Sequence, residues 1–108
     1  MEKSEILNDL AAVFRWTARL DMHEGIANHF SVCSSDNDGF FINKSGSHFS
    51  QIKASDLIHV NNNNYNQLKD KPEIVDPTAL NIHGEIHKKV PHAKCILHAH
   101  SKYATALS

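Results

Sequence analysis

The sequence predicts an α/β fold, a layered domain with a mainly antiparallel central sheet flanked by helices. Three observations predict it: apolar residues recur at helical spacing in two segments, short apolar runs typical of strands separate them, and turn-forming residues punctuate those runs. The chain has 108 residues, 41% of them hydrophobic, which suffices for one core and not for two. We therefore expect residues 1–108 to form the N-terminal part of a single domain that continues beyond Ser108.

The first predicted element is a helix that Ser4 caps and that ends near Leu20. Trp16 falls beside its apolar stripe, where we expect ordinary packing rather than a pocket rim or a subunit contact. The residues expected to face the core are Ile6, Leu10, Val13, Phe14 and Thr17.

Strands follow the first helix. The first runs from about Asn28 to Cys33 and alternates its faces, with Phe30 and Val32 on one and His29, Ser31 and Cys33 on the other. A turn-rich loop over 34–39 joins it to the strand 40–42 as a hairpin. Residues 50–56 are expected to hold a helical turn, and 57–60 a further strand. The four asparagines at 61–64 predict a hairpin tip.

The second helix has a clear start and stop. Asp76 is its predicted cap, Pro77 occupies the first helical position, and Pro91 ends it. Its predicted apolar stripe comprises Ala79, Ile82, Ile86 and Val90. A strand over 95–100 follows, and residues 103–107 have the pattern of another helix start.

Composition excludes several classes of function. Eleven basic and twelve acidic residues give a net charge of -1, without the basic stripe of a nucleic-acid or anionic-membrane surface. Apolar runs are too short for a membrane span, and the N-terminus lacks a signal sequence. Cys33 and Cys95 stand alone, which favours reduced thiols and a cytoplasmic location.

His98-Ala99-His100 is the most informative stretch. Successive strand residues alternate faces, so the two imidazoles point the same way with their Cβ atoms roughly 6–7 Å apart. That spacing lets both rings bind one metal ion. The alternative is a pair of core histidines on a strand, and the residues alone favour it.

The other histidines have simpler interpretations. His83 and His87 share one face of the second helix, as in zinc proteases, but Glu85 is one position away from that motif and points about 100° elsewhere. We therefore reject a protease and expect His83 to bond to a neighbouring strand. Four more are expected at the surface: His23, His48, His59 and His92.

Two turns have the character of an anion site. Ser45-Gly46 is a tight turn with backbone N–H groups, and Pro77-Thr78 forms the first turn of a helix, where the dipole favours negative charge. A phosphate or carboxylate would fit between them, with Thr78 donating its hydroxyl. Most such turns bind only water.

Taken together, three blocks resemble the class II aldolase and adducin N-terminal family. They are residues 24–31 (EGIANHFS), residues 42–46 (INKSG) with 49–60, and residues 76–108, which contain the H-x-H strand. The resemblance covers the chain from about Leu7 onward and about the first half of the family's domain. It implies a class II aldolase-like layered fold.

The resemblance also implies a site. His98 and His100 would be two of three histidine ligands of a catalytic divalent metal, most simply zinc, with the third beyond Ser108. The implied substrate-anion cradle comprises His29, Ser45, Gly46, Pro77 and Thr78. His29 stands where aldolases commonly have asparagine. Ala79 stands where they have the glutamate that moves the proton, so no catalytic residue is assigned here.

Two functions follow from the resemblance. One is a metal-dependent lyase or epimerase of carbohydrate metabolism, acting on a small hydroxy-carbonyl or phosphorylated sugar-like compound. The other is an adducin-like, non-catalytic binding or assembly domain with a vestigial metal site, which Ala79 favours. Either way we expect a homo-oligomer, as a tetramer, when the protein is full length, and no nucleic-acid or membrane partner. Alone, this chain is expected to aggregate or to have low stability.

Overall fold

A computed structural model describes residues 2–22, 28–36 and 38–99. Its helices are α1 (Lys3–Arg19), α2 (Tyr65–Lys69) and α3 (Pro77–Lys89). Its strands are β1 (His29–Cys33), β2 (Phe40–Ile42), β3 (Ile58–Val60) and β4 (Cys95–His98). Two 3-10 turns lie between β2 and β3, at Phe49–Gln51 and Ala54–Asp56. Within these ranges, no helix has both the length and the apolar character needed to cross a membrane.

The four strands form one sheet in the order β3-β2-β1-β4, and every neighbouring pair is antiparallel. The predicted fold class is therefore confirmed. β1 is central: Ser31 pairs with Ile42 of β2 on one side and with Ile96 of β4 on the other. The β4 pairing also sets His29 directly opposite His98. The sheet thus brings together two histidines that are far apart in sequence.

Helix α1 covers the apolar face of β1. It buries Ile6, Leu10, Ala11 and Phe14, and the Phe14 ring stacks on Phe30 with centroids 4.9 Å apart. Two details of the prediction are wrong. The helix begins two residues earlier, after Glu2, with no side-chain cap, because Ser4 already lies within its first turn. Trp16 was expected to pack, but its side chain is 65% exposed, since its position faces away from the sheet.

Helix α3 covers the opposite face of the sheet. Asp76 caps it as predicted, accepting a hydrogen bond from the Thr78 N–H, and Pro77 is the first helical residue. The predicted apolar stripe is right at Ala79 but wrong at Ile82, because the helix buries Ala79, Leu80 and His83 and leaves Ile82 38% exposed. The reason is that β1 presents a polar face to α3, so a histidine occupies a position that a purely apolar count misses.

Asn61–Asn64 do not form the predicted hairpin tip. They make a turn that leads directly into α2, because their side chains bond to their own backbone. The Asn61 carboxamide oxygen accepts hydrogen bonds from the N–H groups of Asn63 and Asn64, and Asn64 Nδ2 donates to the His59 carbonyl. Asparagine side chains that satisfy nearby backbone groups favour turns of this kind and helix starts.

Gly39 enters β2 with a φ of +84°, and a Cβ at this position would lie 1.9 Å from the Val60 carbonyl oxygen. Gly46 has a similar φ of +79°, but its Cβ would meet no described atom within 4 Å. Both alanine variants incur the left-handed backbone cost of about 1–2 kcal/mol. Because only Gly39→Ala adds a clash with backbone, we expect it to lower the free energy of unfolding by at least ~1 kcal/mol more than Gly46→Ala. Urea titration of both variants measures this difference, and equal losses would contradict it.

Candidate functional site

The polar face of β1 and the inner face of α3 form one line of hydrogen-bonding side chains. Alternation along β1 places His29, Ser31 and Cys33 on one face, as predicted, and this face lies toward α3. On α3, His83 and His87 are one turn apart and face this row. The predicted bond from His83 to a neighbouring strand is therefore confirmed.

The contacts along this line are short. His29 Nδ1 lies 2.5 Å from His83 Nε2, and His83 Nδ1 lies 2.5 Å from the Ser31 hydroxyl oxygen. The same oxygen lies 2.7 Å from His87 Nε2. At the far end, His87 Nδ1 is 3.2 Å from the Ala93 carbonyl oxygen. We call the four side chains His29, Ser31, His83 and His87 the histidine line.

Burial keeps the centre of the histidine line uncharged. His83 is fully buried, and desolvation, reinforced by the nearby His29, His87 and His98, lowers its pKa to about 3. Burial also lowers the pKa of His87, and Lys94 acts in the same direction, although the bond to the Ala93 carbonyl opposes it. Because removing a charge from water is costly, both rings are neutral at pH 7.

His98 lies at the end of β4, beside the other end of the histidine line. Its ring is stacked on that of His29, with centroids 4.5 Å apart and planes at 7°. The side chain of His98 is exposed, whereas His29 is buried. His100 lies outside the described residues. Within those residues, no three His, Cys, Asp or Glu side chains are grouped so as to hold a metal ion.

Cys33 lies at the opposite end of the line and is a protonated thiol. Its sulfur is 3.0 Å from His87 Nδ1, but burial raises the thiol pKa, which Lys94 only partly offsets. The pair therefore lacks the thiolate that nucleophilic cysteines require. Cys33 and His87 line a groove of about 510 Å³, which also contains Tyr65 and Lys94. Cys33 and Cys95 are not joined to each other by a disulfide.

Apart from His29 on β1, the residues of the predicted anion cradle lie on two neighbouring segments. The Ser45 N–H donates to the Ile74 carbonyl at 2.8 Å, which joins the Ser45-Gly46 turn to the segment before α3. The Thr78 N–H is bonded to the Asp76 carboxylate, and Pro77 has no N–H. An anion here would therefore depend on the hydroxyls of Ser45 and Thr78 and on the Gly46 N–H.

Ala79 is a core residue. It is 2% exposed and lies in the apolar cluster between α3 and the sheet, whose other members are Phe40, Ile42, Val60, Leu68, Val75 and Leu80. The position where the resemblance expects a proton-transferring glutamate is thus occupied by a methyl group packed among apolar side chains.

The sequence interpretation missed the histidine line as a unit. The signal was present: polar residues at alternate β1 positions, and two histidines four apart on α3. Of the histidines expected at the surface, His48 and His92 are exposed, whereas His59 is half-buried and stacks on Phe41. His23 lies outside the described residues.

Comparisons with known proteins agree with this architecture. The family description Class II Aldolase and Adducin N-terminal domain matches residues 8–108. The Meiotically up-regulated gene 14 protein of Schizosaccharomyces pombe is 36% identical over 104 residues, 95% of this chain and 40% of that protein. Decarboxylase NovR of Streptomyces niveus is 31% identical over 100 residues, 91% of this chain and 37% of that protein.

Among solved structures, L-fuculose 1-phosphate aldolase from Glaciozyma antarctica PI12 superposes with a TM-score of 0.83 at 29% sequence identity. The match covers 96% of this chain and 43% of that one. The chain spans about two fifths of the length of the curated relatives described above. With nearly all of its length matched in sequence and in fold, the chain belongs to the class II aldolase and adducin N-terminal domain family.

Proposed function

We propose that this protein is a metal-dependent lyase or epimerase acting on a small carbonyl compound with an anionic group. The observation that carries the proposal is the position of His98, exposed at the end of β4 with its ring against the buried His29. A histidine at the surface end of a central-sheet strand, held by a buried partner, is suited to bind a metal that substrate can reach.

The donor chemistry fits zinc or a similar divalent ion. Zinc in catalytic sites is held by neutral imidazoles, with an open position for water or substrate. His98 would supply one ligand, His100 a second, as the H-x-H spacing predicts, and a third residue the last. When bound, such a metal polarises a carbonyl oxygen and stabilises the negative charge that develops on it.

The substrate's anionic group is assigned to the cradle of His29, Ser45, Gly46, Pro77 and Thr78. Named relatives support the chemical class: one is an aldolase of L-fuculose 1-phosphate and another is a decarboxylase. Both reactions, as lyase reactions, break a bond next to a carbonyl or carboxyl carbon. A phosphorylated sugar-like or hydroxy-carbonyl compound fits this common chemistry. We also propose a cytoplasmic location and a homo-oligomeric full-length protein.

A second candidate is an adducin-like binding or assembly domain with a vestigial metal site. The observation that favours it is Ala79, which packs in the core where the resemblance expects the proton-transferring glutamate. Losing general acid–base catalysis costs about 10²–10⁴ in rate. Under this alternative the histidines of β4 serve stability or assembly rather than turnover.

Zinc titration of the full-length protein, which carries the proposed third ligand, tests the first proposal. We expect His98→Ala to lower zinc affinity at least tenfold, because it removes a direct ligand, and His92→Ala, an exposed histidine on the α3–β4 connection, to leave it unchanged. Turnover on a panel of phosphorylated and unphosphorylated hydroxy-carbonyl compounds is then measured. Equal zinc affinity in all three proteins would overturn the metal site, and zinc binding without turnover would favour the assembly domain.

A further inference from the structure

The Ala93 carbonyl fixes the proton positions in the histidine line. A carbonyl oxygen only accepts hydrogen bonds, so His87 Nδ1, 3.2 Å away, carries a proton. A neutral imidazole has one protonated nitrogen, so His87 Nε2 is an acceptor. The Cys33 sulfur lies 3.0 Å from the same nitrogen, and its own S–H is directed to the Ala93 carbonyl oxygen at 4.0 Å, so the sulfur is left as a weak acceptor for the Nδ1–H.

The proton on His87 Nδ1 then determines which group donates in each of the other hydrogen bonds. Since His87 Nε2 accepts, the Ser31 hydroxyl donates to it, and its oxygen accepts from His83 Nδ1–H. With Nδ1 of His83 protonated, Nε2 accepts from His29 Nδ1–H. Reversing any one bond places two donors or two acceptors face to face at another, so the four bonds hold a single arrangement of protons.

We propose that Ser31, His83 and His87 are positioning residues: with the Ala93 carbonyl they form a one-directional hydrogen-bond chain that fixes His29 as its Nδ1–H tautomer and holds its ring where His98 stacks. The inference rests on the proposed function only in treating His98 as a metal ligand. The four hydrogen bonds involve only protein groups, so they do not require a metal or a substrate.

The hydrogen-bond chain explains how the exposed imidazole of His98, at the end of β4, is held in place. His98 is exposed, but the ring on which it stacks is buried and bonded to α3. A ring fixed at Nδ1 does not flip without losing its bond to His83. Stacking on this fixed ring, together with the cross-strand pairing of His29 and His98, restricts the orientation of the His98 imidazole.

Imidazole tautomers are measured directly by NMR. We would label the histidines with ¹⁵N and record long-range ¹H–¹⁵N correlations at pH 7 in chelator, without metal. The expected result is a protonated Nδ1 and an unprotonated Nε2 in His29, His83 and His87, the reverse of the tautomer that free histidine prefers. A merely structural packing role would not impose one tautomer on three rings.

Substitution of Ser31 tests the direction. Ser31→Ala breaks the chain in its middle, so His83 and His29 should shift toward the tautomer of free histidine, whereas His87 keeps its form because the Ala93 carbonyl remains. Ser31→Thr restores a hydroxyl and should restore the wild-type tautomers. Ser35→Ala, at an exposed turn residue, is the matched control and should change none of the three rings.

The wild-type spectrum alone decides the proposal, so a Ser31→Ala variant that does not fold leaves it testable. A protonated Nε2 in His83, averaged signals for the three rings, or a folded Ser31→Ala in which His87 changes with the others would overturn it. Because the sample contains no metal, a failure here is distinct from a failure of zinc binding, which would overturn only the proposed function.

Discussion

Ala79→Glu is expected to unfold the protein rather than supply an acid–base group. The side chain at 79 lies in the apolar cluster between α3 and the sheet and is 2% exposed. A carboxyl group there loses its hydration, and the side chains of the cluster offer it no hydrogen-bond donor. The glutamate side chain is also larger than alanine and displaces the apolar neighbours. We expect the free energy of unfolding to fall by about 4 kcal/mol or more, combining overpacking with burial of a polar group.

Two further variants separate the causes. Ala12→Glu makes the same change at an exposed position of α1 and should alter the free energy of unfolding by less than about 0.5 kcal/mol. Ala79→Gln introduces a side chain of the same size without an ionisable group. The difference between the free energies of unfolding of Ala79→Gln and Ala79→Glu therefore reports the contribution of the carboxyl group. Urea titration gives all three values. If Ala79→Glu unfolds at the same urea concentration as Ala12→Glu, position 79 opens to the site and the core assignment is wrong.

Much of the fold could be predicted from local patterns. Alternation over residues 28–33 gave the correct two faces of β1, and the Asp76-Pro77 signal gave the correct start of α3. Both patterns act over a few residues, where backbone geometry and capping dominate. The sheet order could not be obtained in this way, since the pairing of His29 with His98 joins residues that are distant in sequence.

The predicted burial of Ile82 on α3 was wrong for a physical reason. The apolar count placed Ile82 toward the core, but the helix turns His83 inward because Ser31 and His29 offer it hydrogen bonds. A buried polar group is stable only with partners, and those partners lie on another element. A sequence pattern that counts only apolar residues therefore does not predict that His83 is buried in place of Ile82.

The candidate site was foreseen only in part. His98 was singled out by its spacing, and its prediction as a metal ligand stands as a proposal, as does that of His100, which lies outside the described residues. His29 was assigned by resemblance to an anion cradle, whereas the structure bonds its Nδ1 to His83. The contact depends on how α3 packs across the sheet, so the residues alone did not reveal it.

Acid should weaken the fold through His83. The unfolded imidazole takes up a proton near its ordinary pKa of 6.5, whereas burial lowers the pKa of the folded one to about 3. Between these values the unfolded state binds more protons, so stability is fully present above pH 6.5 and declines as pH falls toward 3. Each pH unit in this window costs at most ~1.4 kcal/mol, which amounts to about 2 kcal/mol between pH 7 and pH 5.

Urea titration of the metal-free full-length protein at pH 7 and pH 5 measures this loss. His83→Gln cannot titrate, so although it is less stable at pH 7, it should lose less stability on acidification than the wild type does. His87, whose pKa is also lowered, sets the remaining slope in that variant. His92→Gln, which changes an exposed histidine, should retain the wild-type loss. A wild-type stability that is equal at the two pH values would show that His83 accepts a proton in the folded state without penalty.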